Sequence, residues 1–205
     1  MTLGTKIPLI TVSVLFVALS FNATMSILQF RKNYTQALLT GSYALGQSLN
    51  SVVTEMLKLG LPLDSLAGMS AKCKDLKEKT PHITYLGIGD LKGTVLYHSD
   101  PAMVGRVLLD ETFQRGVGIR MPIEQRYQRF DGKEYFDVTI PIIAPDDTHV
   151  GNIRLGFPVA VVDDKVMEAI WGHLAIFGAT FVLIVISIHV FMTRIVSRPL
   201  TRLAR

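Results

Sequence analysis

Leu86-Gly-Ile-Gly-Asp90-Leu-Lys-Gly93-Thr-Val-Leu-Tyr97-His98-Ser-Asp100-Pro101-Ala-Met-Val-Gly105 is the stretch on which the reading of the fold turns. A strand over Ile83 to Ile88 runs into a turn, Gly89-Asp90-Leu-Lys-Gly93, and a partner strand follows over Thr94 to His98. Ser99-Asp100-Pro101 closes the hairpin, and Ala102 to Gly118 reads as a loop or short helix. The three glycines do not make a dinucleotide loop. Three residues separate the last two where that fingerprint needs two, and no helix follows.

Downstream the period of two persists. Pro122 to Phe130 and Lys133 to Ile143 are strands joined by Asp131-Gly132, a strong hairpin signal, and Val150 to Phe157 is a fifth strand. In the fourth, Phe136, Val138, Ile140 and Ile142 share one face, while Tyr135, Asp137 and Thr139 take the other. Upstream the period is helical. Leu38, Leu45, Leu49, Val52, Met56 and Leu59 form a heptad stripe with Ser42 in its missing slot, ended by Gly60-Leu-Pro62. That stripe suits burial on the chain's own domain, or packing on both that domain and a second copy. A shorter helix, about Asp64 to Lys79, buries Leu66, Met69, Cys73 and Leu76. The expected fold class is α+β: a long N-terminal helix packed on a five-stranded antiparallel sheet with one apolar and one mixed face.

Two apolar runs flank this region. Ala169 to Thr193 holds no Asp, Glu, Lys or Arg over 25 residues, which exceeds the ~30 Å hydrocarbon core at about 1.5 Å per residue. Asp163-Asp164 is expected to open the helix that leads into it. Ile7 to Phe30 is a second uncharged run of 24 residues; a cleaved signal peptide is its rival reading, although apolar character resumes at Met25-Ser-Ile-Leu. The tail after the second run, 194–205, carries four Arg and no acid, so it is expected in the cytoplasm. Lys6 and those Arg account for the net charge of +4, because residues 31–168 net −1. The basic balance therefore reports membrane orientation and not a nucleic-acid surface. The expected organisation is a transmembrane helix over 7–30, an extracytoplasmic domain over 31–168, a second transmembrane helix over 169–193 and a helical stub over 194–205. Both termini are then cytoplasmic.

Catalytic chemistry has little to stand on. The chain has no Gly-x-Ser-x-Gly, no paired-His metal spacing and no haem motif, and its one cysteine cannot form an internal disulfide. No catalytic residue, metal or cofactor is expected. His82, His98 and His149 sit at turns or strand ends and read as surface or capping residues; His173 and His189 lie in the second run. A set of aromatic and basic residues on short strands points instead to binding: Tyr97, Arg126, Tyr127, Arg129, Tyr135, Asp137 and Arg154. An Arg fork with tyrosine hydroxyls suits a small carboxylate, and an Asp beside them suits an ammonium group. Arg126 and Arg129 have opposite parity, so at most one points inward.

The order of elements resembles the single-Cache domain, a PAS-like extracytoplasmic sensor of bacterial chemoreceptors, sensor kinases and cyclic-dinucleotide enzymes. The carrying residues are the stretch from Leu86 to Gly105, with Val138-Thr-Ile-Pro141-Ile and Val150-Gly151 similar to the family's closing strands. The tail Arg198-Pro199-Leu200-Thr-Arg-Leu203 is similar to the opening of a HAMP signalling helix. The resemblance implies a pocket on the mixed sheet face under the loop 102–118. It implies a homodimeric receptor of the bacterial inner membrane that senses an organic acid or amino acid. Tyr97, Arg126, Tyr127, Tyr135, Asp137 and Arg154 are then the candidate ligand contacts. A HAMP module continues into a second helix and an output domain, so with the sequence ending at Arg205 the output is expected on a partner, or the chain is a fragment or degenerate gene. The rival class is a dimeric membrane tether with a ligand-free domain; an extracytoplasmic enzyme ranks third.

Overall fold

The computed structural model describes residues 3–108, 111–129 and 132–191. The stub at 194–205, the last residues of the second apolar run and Asp131 of the hairpin turn lie outside the described residues. The chain forms two compact units, Asn33–Asp163 and a second made of Met1–Lys32 with Asp164–Arg205.

The first unit is built on five strands: β1 (Tyr85–Asp90), β2 (Val95–His98), β3 (Ile123–Gln128), β4 (Glu134–Ile143) and β5 (His149–Pro158). All pairings are antiparallel, in the spatial order β2-β1-β5-β4-β3. β1 runs two residues further than the sequence suggests, because Gly89 and Asp90 pair with Asn152 and Gly151 of β5. The turn therefore starts at Asp90, whose Oδ1 accepts from the Lys92 and Thr94 amides at 2.9 and 2.8 Å.

Strand alternation delivers the apolar face as read. Leu86, Ile88, Val138, Ile140, Ile142, Ile153, Leu155 and Phe157 are all buried to within 1%. Each stabilises the fold by about 1.5–3 kcal/mol relative to an exposed position. Over them lies the later part of α1 (Leu3–Lys58), which buries Leu38, Leu39, Ser42, Gly46, Leu49 and Val53. The apolar stripe is thus shifted from the one read in sequence, with Val52 partly and Leu59 largely exposed. The cause is distance. The two middle slots are filled by Ser42 and Gly46, small residues that let the helix approach the sheet. A Cβ on Gly46 would sit 2.4 Å from Ile140 Cδ1. Close approach, and not hydrophobicity, selects the residue there.

The expected helix from Asp64 is broken into a single 3-10 turn, Leu63–Ser65, and α2 (Met69–Glu78). Gly68 at φ +77° makes the break, a backbone state that costs glycine little. α2 buries Met69 and Cys73 against the same core. The segment 102–118 holds a 3-10 turn at Pro101–Met103, a bridge between Thr94 and Val107, and α3 (Glu111–Gly116). Asp100 caps the first turn through the Ala102 amide at 3.0 Å.

α4 (Val159–Phe191) follows β5 without a loop and starts four residues before Asp163. Val159 and Val162, one turn apart, are buried, so the first turn is held by the core and the two acids fall in the second. In the second unit, Phe16 of α1 makes edge contacts with Phe177 and Phe181 of α4, at 5.8 and 5.6 Å between ring centres. His173 Nδ1 donates to the Ala169 carbonyl at 2.7 Å, so its Nε2 accepts from Ser26 Oγ at 3.1 Å. Both helices are long and apolar enough to cross a membrane.

Candidate ligand-binding site

The mixed face of the sheet carries Tyr85, Gly87 and Gly89 from β1, and Gln125 and Tyr127 from β3. Beside them stand Tyr135, Asp137 and Thr139 from β4, and Asn152, Arg154 and Gly156 from β5. Two alternate glycines in β1 leave that strand without side chains on this face beyond Tyr85. The result is a cavity of about 300 Å3. Tyr85, His98, Tyr127, Arg129 and Arg154 line its sheet side, and Met103, Val107, Leu108 and Phe113 line it from the covering segment. The volume is at the lower end of the about 300–1,000 Å3 typical of small-molecule sites.

Beneath the cavity lies a closed polar network centred on Asp137, which is fully buried. Its Oδ2 accepts from the Tyr85 hydroxyl at 2.5 Å and from Arg154, 3.3 Å from Nε and 3.2 Å from an η nitrogen. Its Oδ1 accepts from Thr139 Oγ1 at 2.6 Å. A buried carboxylate needs such partners, since an uncompensated one costs several kcal/mol. Tyr85 reaches it only because residue 156 is glycine. A Cβ there would lie 2.5 Å from the Tyr85 hydroxyl and from the Phe136 carbonyl oxygen. Burial, followed by the nearby Asp137, holds the Tyr85 phenol well above its ordinary range. The Tyr127 phenol is also raised, chiefly by burial, and donates to Tyr85 at 3.1 Å.

The same network ties down the cover. Arg154 donates to Thr112 Oγ1 at 2.7 Å, Gln125 to the Thr112 carbonyl at 3.2 Å, and Asn152 to the Gly116 carbonyl at 3.1 Å. Three side chains from two strands thus hold α3. His98 closes one end of the cavity, its ring stacked 6.5 Å from Tyr85. Its Nδ1 lies 2.9 Å from the Asp100 amide and 3.1 Å from the Asp100 carbonyl, so the ring is anchored on its own loop. Burial lowers its pKa below the ordinary 6.5, so it is neutral at pH 7.

Of the residues singled out in sequence, the structure brings Tyr127 and Arg154 to the cavity wall. Asp137 lies directly behind Arg154. Tyr135 is buried between Tyr85 and Tyr127, at 6.3 and 6.0 Å, with the Arg129 guanidinium 5.7 Å over its ring. Tyr97 and Arg126 stand elsewhere. Tyr97 pairs with Ile88 and so points to the helix face, where its hydroxyl accepts from the Leu66 amide at 2.7 Å. Arg126 pairs with Phe136, lies 5.9 Å over that ring and bonds to Glu134. As parity requires, Arg129 takes the inward position. Tyr85, His98 and Thr112 were not singled out as contacts. The spacing Tyr85-x-Gly87-x-Gly89 was the available signal, an aromatic followed by two empty positions on one strand face. Among the described residues no group of three His, Cys, Asp or Glu could hold a metal ion.

A profile of single cache domain 3 matches residues 31–170. The chain belongs to that family. No curated protein matches the chain. Solved structures show the same Cache fold at low identity. The sensor domain of DcuS from E. coli is 12% identical with a TM-score of 0.54, covering 67% of this chain and 98% of that one. The sensor domain of the V. cholerae histidine kinase DctB is 12% identical with a TM-score of 0.55, covering 70% and 57%. The sensory domain of the Campylobacter jejuni chemoreceptor Tlp3, with isoleucine bound, is 14% identical with a TM-score of 0.55, covering 75% and 64%. This Cache domain is a sensor module flanked by two apolar helices.

Proposed function

We propose that the chain is a two-span receptor of the bacterial inner membrane whose Cache domain faces outward and binds a small carboxylate. The observation that carries the reading is the cavity itself. Arg129 and Arg154 line it, and no Asp or Glu is among its described lining residues. Guanidinium matches carboxylate with two parallel hydrogen bonds, so such a wall selects an anion. Arg154 also holds Thr112 of α3 and sits on β5, the strand that passes directly into α4. A ligand that engages Arg154 would therefore bear on both the cover and the strand leading to the second span. It shifts the receptor only in so far as it binds two arrangements with different affinity.

The chain acts as a homodimer, with both termini cytoplasmic and the basic tail passing a small helix displacement to a HAMP-type output. The full-length protein in detergent should gain thermal stability with at least one small organic acid, by about 5 °C or more at a hundredfold excess over Kd. Arg154→Gln should abolish the gain. A broad screen of organic acids that produces no shift would overturn the reading.

A further inference from the structure

We propose that Asn22 is a dimer contact inside the membrane, its carboxamide paired with Asn22 of a second copy of this chain. The inference rests on the two-span homodimer read above and deepens it by naming a place where the two copies meet.

The uncharged run from Ile7 to Phe30 carries two carboxamides, Asn22 and Gln29. Gln29 lies at the outer end. Asn22 lies eight residues from Phe30, about 12 Å from that end at ~1.5 Å per residue. So short a side chain cannot reach the headgroups from there as Lys or Arg would. Hydrocarbon holds no water to satisfy it, and an amide left without partners at that depth is costly.

The chain's own helices do not supply the partner. Leu15, Leu19, Ala23 and Ser26 are half-buried and make the face that α1 turns to α4. The hydroxyl on that face is taken, by His173 at 3.1 Å. Ser13 and Thr24 donate back to the Leu9 and Ser20 carbonyls of their own helix, at 2.8 and 2.9 Å. A carboxamide has both donors and an acceptor to satisfy. Asn22 is exposed, off the edge of the α4 face, and makes no hydrogen bond through its side chain to any described residue.

A second copy answers both needs at once. About a twofold axis the same residue returns at the same depth, and each amide donates to the carbonyl oxygen of the other. The flanking positions allow the approach. Ala18, one turn before Asn22, is small and exposed; Met25, one turn after, is exposed and adaptable.

The test uses the full chain in lipid bilayers, with energy transfer between donor- and acceptor-labelled copies followed as added lipid dilutes the protein. Asn22→Leu should raise the dissociation constant of the dimer about three- to thirtyfold, the range of a hydrogen bond between membrane helices. Thr24→Leu, on the opposite side of α1, should leave it unchanged. In native membranes Ala18→Cys should form a disulfide between copies on mild oxidation, and Ser13→Cys, half a rotation from Asn22, should not. A dimer indifferent to Asn22→Leu hands the amide to some other partner and overturns this inference while the homodimer stands. An equal loss with Thr24→Leu, or cross-linking through Ser13→Cys and not Ala18→Cys, also overturns it. A parent chain that stays monomeric at every lipid ratio removes the homodimer as well.

Discussion

At the scale of single residues, the site is organised by one buried carboxylate. Asp137 fixes Arg154 and Tyr85, and through them α3 and the orientation of Tyr127. Arg154→Ala should destabilise the protein by about 3–5 kcal/mol, because Asp137 is left buried without its counter-charge. Adding Asp137→Asn should recover part of that loss, and a double-mutant cycle in urea should show coupling above about 1 kcal/mol. Additive losses would mean that the pair is not the organising contact. His98 gives a pH dependence with a definite sign. Its folded pKa lies below the ordinary 6.5, so the unfolded chain binds more protons as the pH falls through that value. Stability contributed by neutral His98 is therefore present above the ordinary 6.5 and lost as the pH falls below it, and His98→Asn should flatten that slope in thermal melts. Tyr127, Tyr135, Asp137 and Arg154 were legible because alternation puts them on one face. Tyr97 was not, since its face follows from the register across the Asp90–Gly93 turn, where β1 bulges between Ile88 and Gly89. Nothing in the sequence states that register.

At the scale of elements, glycine decides where things come close, and the two tight approaches differ in what gives way. Gly156 faces a backbone oxygen and the Tyr85 ring, neither free to move, whereas Gly46 faces the ends of Ile140 and Leu155. Gly156→Ala should cost about 2 kcal/mol or more and open the cavity floor. Gly46→Ala also clashes, but side-chain shifts relieve it, and the change adds about 1 kcal/mol of helix propensity. It should fall within about 1 kcal/mol of the parent in denaturant titrations. Equal losses at the two positions would contradict this account of the packing. The helix stripe shows why sequence pattern ran slightly askew here. It ranks slots by hydrophobicity, while the slots nearest the sheet hold Ser42 and Gly46. Strand order and the early start of α4 at Val159 were likewise set by tertiary packing, whereas the break at Gly68 is a local glycine effect. The two apolar helices and the alternating strands needed only periodicity.

At the scale of the whole molecule, the account is a cavity-bearing Cache domain carried between two helices able to span a bilayer. Its central claim is that this domain and the basic tail lie on opposite sides of the membrane. Cys73 makes the claim directly measurable. Burial pushes its thiol up to about 12, so it is silent toward maleimides in the folded protein. A single new cysteine at Lys92, beside the exposed β1–β2 turn, should be labelled in intact cells by a membrane-impermeant maleimide. One at Arg205 should be labelled only after the cells are lysed. Labelling of both sites in intact cells, or of neither before lysis, would put them in one compartment and contradict the account.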